Sequence, residues 1–230
     1  MQAIVLAGGL GTRLRGVVDD LPKPMAPVRG RPFLAFVLDQ LVDSGFKTVT
    51  LATGYRHEAI RSYFGAGYRG LALRYSVEPE PLGTGGAIRL ACDGVSADNV
   101  FVLNGDTYLE LDFRAMLAAH ADTEAEITIA VCHVPDVARY GALELTDDTV
   151  GAFLEKGRSG PGWINAGTYV MGPKLRARLQ RRGAFSFERD LLVPGVSSIR
   201  PRAFRSSGRF IDIGTPEDYA RAQLFFRPPG

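Results

Sequence analysis

The feature that most constrains the fold is a short continuous apolar run, Ile4-Val5-Leu6-Ala7, that stops abruptly at Gly8-Gly9. A run of this length bounded by glycine predicts a buried strand over residues 2–7. The pattern then repeats. Phe33, Phe36, Val37 and Leu41 fall at helical spacing within residues 32–44, closed by Gly45. Strands are predicted over residues 48–53, 71–77 and 100–103, and helices over 57–64 and 84–92. This βαβα rhythm calls for an α/β fold, a Rossmann-like, mostly parallel mixed sheet with helices on both faces. After Ala121 the rhythm changes. Residues 127–134, 141–145 and 150–154 read as strands with little helix between them, an added antiparallel portion. A strand over 164–171 follows, then helices near 174–181 and 187–192. Residues 209–213 give a last strand and 216–226 a last helix, capped at Thr215 with Pro216 next.

The chain of 230 residues contains no repeat, low-complexity segment or linker, so one domain with two lobes over residues 1–230 is the economical reading. Apolar residues make up 46% and charged residues 23%, enough for a core without disulfides or structural metals. A formal net charge of +2 gives no electrostatic case for nucleic acid or a membrane surface. Cys92 and Cys132 lie far apart with no CxxC partner, which argues against zinc or a disulfide framework and suits a reducing cytosol. The N-terminus lacks the basic and apolar regions of a signal peptide, and no stretch reaches the roughly 18 apolar residues of a membrane span. A cytoplasmic protein is expected.

Chemistry concentrates first in Leu6-Ala7-Gly8-Gly9-Leu10-Gly11-Thr12-Arg13-Leu14. Three glycines after a strand let the backbone approach a ligand and offer N–H groups to phosphate oxygens. A tight strand-to-loop turn would account for the glycines equally well. The loop is neither a Walker A motif nor a spaced GxGxxG. Next, Leu21-Pro22-Lys23-Pro24-Met25 sets a lysine between two prolines, in an extended segment of reduced backbone freedom. Of 27 basic residues only Lys23, Lys47, Lys156 and Lys174 are lysine, which weakens the reading of Lys23 as an ordinary solvated side chain. A fixed ammonium is suited to neutralising a phosphoryl oxygen.

G-G-x-G-T-R followed by L-P-K-P resembles the signature of sugar-phosphate nucleotidyltransferases, and further matches run through the chain in the family's order. Leu82-Gly83-Thr84-Gly85-Gly86-Ala87 is similar to its base-binding turn, and Asn104-Gly105-Asp106 to the strand end carrying a first magnesium-binding aspartate. Glu155-Lys156 and Asn165-Ala166-Gly167 resemble sugar and sugar-phosphate contacts, and Ile211-Asp212-Ile213-Gly214-Thr215-Pro216 the segment with a second magnesium-binding aspartate. The resemblance implies a nucleotide-binding half of about residues 1–110 and a sugar-binding half of about 111–230. Arg13 and Lys23 would be catalytic. Leu6, Ala7, Gly8, Gly9, Gly11, Thr12, Glu78, Gly83 and Thr84 would hold the nucleotide. Asn104, Gly141, Glu155, Lys156, Asn165 and Gly167 would hold the sugar phosphate, and Asp106 and Asp212 would bind Mg²⁺. Two carboxylates with phosphate oxygens and waters make an ordinary magnesium shell. Glu155 and Lys156 read equally well as a surface charge pair at a hairpin end.

The implied reaction is direct displacement at the α-phosphorus of a nucleoside triphosphate by a sugar 1-phosphate. It needs positioning and charge neutralisation and no nucleophilic side chain. Glu78 bears on the base. A carboxylate accepts from both N1–H and N2–H of guanine, whereas an amide suits uracil or thymine better, so GTP is favoured. Glu78 as a solvated loop carboxylate beside Glu80 is the plain alternative. In length, and at residues 80–86, 103–107 and 185–188, the chain is most similar to the short bacterial D-glycero-D-manno-heptose 1-phosphate guanylyltransferases. A heptose product for capsule, lipopolysaccharide or surface glycan follows from that resemblance alone. The competing readings are transfer to mannose 1-phosphate, uridylyl transfer, and an inactive nucleotide-sugar sensor on the same fold. The basic stretch 200–209 lacks the aromatic platforms of an RNA-binding surface. Apolar helices would suit a homodimer, with no residue marking an interface.

Overall fold

A computed structural model of the protein describes residues 1–9, 21–123, 125–155, 157–181 and 183–226. Its strands begin with β1 (Gln2–Leu6), β2 (Pro27–Val28), β3 (Arg31–Pro32), β4 (Thr48–Thr53), β5 (Gly67–Tyr68), β6 (Leu71–Val77) and β7 (Val100–Asn104). They continue with β8 (Thr107–Leu109), β9 (Ile127–Val134), β10 (Ala142–Thr146), β11 (Thr149–Phe153), β12 (Gly162–Met171), β13 (Arg202–Ser206) and β14 (Phe210–Asp212). The helices are α1 (Phe33–Asp43), α2 (His57–Phe64), α3 (Gly83–Cys92), α4 (Phe113–Ala121), α5 (Pro173–Arg178), α6 (Val193–Ile199) and α7 (Pro216–Phe225). A 3-10 turn over Lys23–Met25 precedes β2, and a π-helical turn over Glu188–Leu192 runs directly into α6.

Ten strands form one sheet in the order β10-β11-β13-β9-β12-β7-β1-β4-β6-β5. The run β7-β1-β4-β6 is parallel, as the βαβ rhythm predicts. Beyond β7 the sheet continues through antiparallel β12 and β9, so the antiparallel portion is an extension of the same sheet. Alternating side chains of one strand serve the two faces. Ala3 and Val5 join the core under α1, α4 and α7, while Ile4 joins the core under α3, α5 and α6. No helix among the described residues is long and apolar enough to cross a membrane.

Most predicted elements lie within a residue or two of the observed ones. Helix α4 has no counterpart among the expected elements, and three further differences have physical reasons. The basic stretch after Arg200 contains β13, inserted parallel to β9, where Arg205 and Arg202 reach Asp148. The turn at Asp106 is followed at once by β8, whose partner β14 comes from the far end of the chain. The helix expected at residues 187–192 begins as the π turn and extends to Ile199.

Candidate active site

The four parallel strands all point their carboxyl ends at one cavity of about 750 Å³. Leu6, Gly8 and Gly9 enter it after β1, Gly54 and Tyr55 after β4, Glu78 after β6, and Asn104 and Asp106 after β7. The chain runs from β1 outward to β4 and β6, then returns to place β7 on the other side of β1. Such a reversal of strand order opens a crevice at the strand ends, where ligands of open α/β sheets bind.

Lys23 starts the 3-10 turn after Pro22, and its ammonium is ion-paired with Asp106 Oδ2. Gly105 lets the end of β7 close onto β1: its N–H donates to the Leu6 carbonyl at 2.9 Å, and a Cβ there would stand 2.6 Å from that oxygen. β14 pairs with β8 so that Asp212 faces Thr107, and Ile213 N–H donates to the Asp106 carbonyl at 3.0 Å. Two aspartates far apart in sequence thereby meet beside Lys23. The Asp212 carboxyl is pushed above its ordinary range, first by burial and then by the charge of Asp106, against the opposing pull of Lys23. Gly214 N–H donates to Asp212 Oδ1 at 2.7 Å. No cluster of three or more His, Cys, Asp or Glu occurs among the described residues. Two carboxylates are oxygen donors of the kind that Mg²⁺ takes, with phosphate oxygens and water able to complete its shell.

On the other wall, Glu78 is half-buried, and Leu82 N–H donates to its Oε2 at 2.8 Å. Burial raises its carboxyl pKa and the Leu82 bond opposes the shift. Gly8 packs closely here: a Cβ would meet Glu78 Oε1 at 2.9 Å and the Gly54 backbone nitrogen at 3.1 Å. The turn at Gly83 packs against a strap formed by residues 185–188. Gly85 N–H donates to the Phe185 carbonyl and Phe185 N–H to the Leu82 carbonyl, both at 2.9 Å. Thr84 Oγ1 accepts from Phe187 N–H at 2.9 Å. Gly83 has φ +68°, and a Cβ on Gly85 would stand 2.1 Å from the Phe185 ring. The small residues of this turn therefore admit the strap as well as a ligand.

Asn165 and Gly167 lie on β12 next to Asn104. Gly167 has φ +70°, and a Cβ would meet Asn104 Nδ2 at 2.5 Å. Asn165 Nδ2 donates to Tyr169 Oη at 2.8 Å and Glu188 Oε2 at 2.6 Å. Ala7 sits behind the cavity wall, buried, with its N–H on the Ala52 carbonyl at 2.8 Å. Gly141 and the exposed Glu155 stand together at the ends of β10 and β11, where Leu154 N–H donates to the Ala142 carbonyl, and they do not line the cavity. Gly11, Thr12, Arg13 and Lys156 lie outside the described residues.

The family described as nucleotidyl transferase matches residues 2–227. The chain belongs to this nucleotidyl transferase family. It is 44% identical to a D-glycero-α-D-manno-heptose 1-phosphate guanylyltransferase of Aneurinibacillus thermoaerophilus, over 97% of each chain. A protein of the same description from Campylobacter jejuni is 40% identical over 95% of this chain and 97% of its own. The crystal structure of HddC from Yersinia pseudotuberculosis complexed with GMP-PN superposes with a TM-score of 0.86 at 38% identity, covering 98% of this chain and 99% of that one.

This nucleotidyl transferase also places residues at the cavity that sequence reasoning did not select. Tyr55 projects from the end of β4 and Pro79 and Pro81 flank Glu80. Glu188, bonded to Asn165, was not selected either, and it lies outside the residues that line the cavity. An aromatic following a glycine at a strand end was the available signal for Tyr55; Glu188 was visible only as part of the stretch 185–188 that resembles the heptose 1-phosphate guanylyltransferases, with no role of its own.

Proposed function

We propose that the protein joins GTP to D-glycero-α-D-manno-heptose 1-phosphate in the cytoplasm, releasing pyrophosphate and forming GDP-heptose, an activated donor for surface-glycan assembly. The observation that carries this reading is that Lys23, Asp106 and Glu78 line one cavity and that Asp212 stands behind Asp106 and Lys23, close enough for their charges to act on it. A phosphate oxygen of the sugar phosphate attacks the α-phosphorus, the α–β bridging bond breaks, and pyrophosphate leaves. Lys23 neutralises charge on the triphosphate, and Arg13 shares that task. Glu78 keeps Oε1 available for guanine N1–H and N2–H while Oε2 is anchored by Leu82 N–H. Asp106 and Asp212 would hold Mg²⁺, which when bound neutralises phosphate oxygens. Gly8 and Gly9, which line the cavity, would serve the phosphates together with Gly11 and Thr12, and Leu6, Ala7, Gly83 and Thr84 complete the nucleotide side. Asn104, Asn165 and Gly167 form the sugar side; Gly141 and Glu155, which stand outside the cavity, would serve the sugar phosphate together with Lys156. In this division, residues 1–110 handle the nucleotide and 111–230 the sugar. The strong likeness to heptose 1-phosphate guanylyltransferases supports the choice of base and sugar.

Pyrophosphate release is the test, with five nucleoside triphosphates against heptose, mannose and glucose 1-phosphates. Turnover is expected with GTP and the heptose phosphate, and its loss in Asp106→Ala. Preference for UTP would refute the role of Glu78, and silence in every combination from folded protein would refute the enzyme.

A further inference from the structure

Glu188 opens the π turn that leads into α6, and its backbone is fixed on both sides. Phe187 N–H is held by Thr84 Oγ1 at 2.9 Å, Ser186 N–H by Asp190 Oδ2 at 2.7 Å, and Arg189 N–H by Ser186 Oγ at 3.1 Å. π turns inserted at helix ends are frequent at functional sites. The side chain is bonded to Asn165 on β12, two residues from Gly167, which packs against the cavity-lining Asn104, and the preceding residue Phe187 is tied by its N–H to the cavity-lining Thr84.

The Asn165 amide has little left to give a substrate. Its two N–H groups are used by Tyr169 Oη and Glu188 Oε2, and its Oδ1 accepts from Gly167 N–H at 3.0 Å. Glu188 is the opposite case. Its Oε2 is fixed by Asn165, while Oε1 has no partner among the described residues and is not among the buried atoms lacking one. A carboxylate clamped by one oxygen and open at the other is a preoriented acceptor for hydroxyl groups.

Resting on the guanylyltransferase reading, we propose that Glu188 is the specificity-determining acceptor for hydroxyls of the sugar 1-phosphate, and that Asn165 is a positioning residue that aims it. The polyhydroxy sugar, and not the nucleotide, is the part of the reaction it senses.

The experiment measures KM for GTP and for the heptose 1-phosphate separately in the unmutated protein, Glu188→Gln, Glu188→Asp, Asn165→Ala and the Asn165→Ala/Glu188→Gln double variant. Glu188→Gln replaces the open acceptor by a donor while keeping an oxygen for Asn165. The sugar KM should rise about tenfold or more, as for loss of a charge-assisted hydrogen bond, with the GTP KM within about twofold of the original. Asn165→Ala should shift the sugar KM in the same direction, and the double variant should add little to Glu188→Gln. One deoxy analogue of the sugar phosphate should abolish the difference between the unmutated protein and Glu188→Gln. An unchanged sugar KM in both Glu188 variants overturns the proposal and leaves the proposed reaction standing, and so do equal rises for both substrates. Absence of turnover by the unmutated protein overturns both together.

Discussion

Lys23 is held by the Asp106 carboxylate, and both line the cavity proposed to take the triphosphate. Its charge is therefore placed before any substrate arrives, which removes most of the reorganisation that a free lysine would need. Replacing it by methionine keeps the length and removes the charge. Lys23→Met should lower kcat by about 10²–10³-fold, the range for losing one preorganised charge-stabilising group, while leaving the unfolding midpoint in urea nearly unchanged. A kcat within about threefold of the original, well short of that range, would refute the assignment. Residues of this kind were legible because their neighbours constrain them: prolines around Lys23, glycine before Asp106, glycine after Asp212. Glu188 was not, because its meaning depends on Asn165, a partner 23 positions away on a different element.

Elements carry their own consequences. Thr215 caps α7, accepting from Asp218 N–H at 3.3 Å and donating to Asp218 Oδ2 at 3.1 Å, just after the strand that ends in Asp212. Thr215→Ala should cost about 1 kcal/mol of stability, measurable by urea denaturation. A second consequence lies where α4 meets β9. His120 is buried there, with Nδ1 at 2.8 Å from Thr128 Oγ1, and burial lowers its pKa below the ordinary 6.5. Above pH 6.5 both folded and unfolded chains carry a neutral imidazole, and this contribution to stability is complete. As the pH falls, the unfolded chain takes up its proton first, so stability declines until the depressed folded pKa is passed. Between pH 7.5 and 5, the urea midpoint should fall more steeply in the unmutated protein than in His120→Gln; equal slopes would refute the linkage. The parallel βαβ elements were readable from local periodicity, because each strand is apolar and bounded by glycine or polar residues. β8 and β13 were not. β8 has three residues and exists by pairing with β14, and β13 hides its inward Ala203 among arginines whose charges are met by Asp148.

At the scale of the molecule, β12 joins what comes early in the chain to what comes late. It pairs with β7 on one side and β9 on the other, so the ten-stranded sheet runs without a break through residues 1–110 and 111–230. Arg29 adds a second tie, its backbone N–H donating to Gln223 Oε1 of α7 at 2.9 Å. The chain should unfold in a single transition. Trp163 on β12, the sole tryptophan, reports on the junction by fluorescence, and far-ultraviolet circular dichroism reports on the helices. The two melting curves should coincide; separated midpoints would show two independent units.

The strap at residues 185–188 makes one demand on anyone who would re-engineer the cavity. It is hydrogen-bonded to the turn at Gly83 on one side and to Asn165 of β12 on the other. A loop transplanted from a relative with another sugar preference would arrive with an aromatic shaped for a different turn. The two segments, some hundred residues apart in the gene, have to be exchanged as one part.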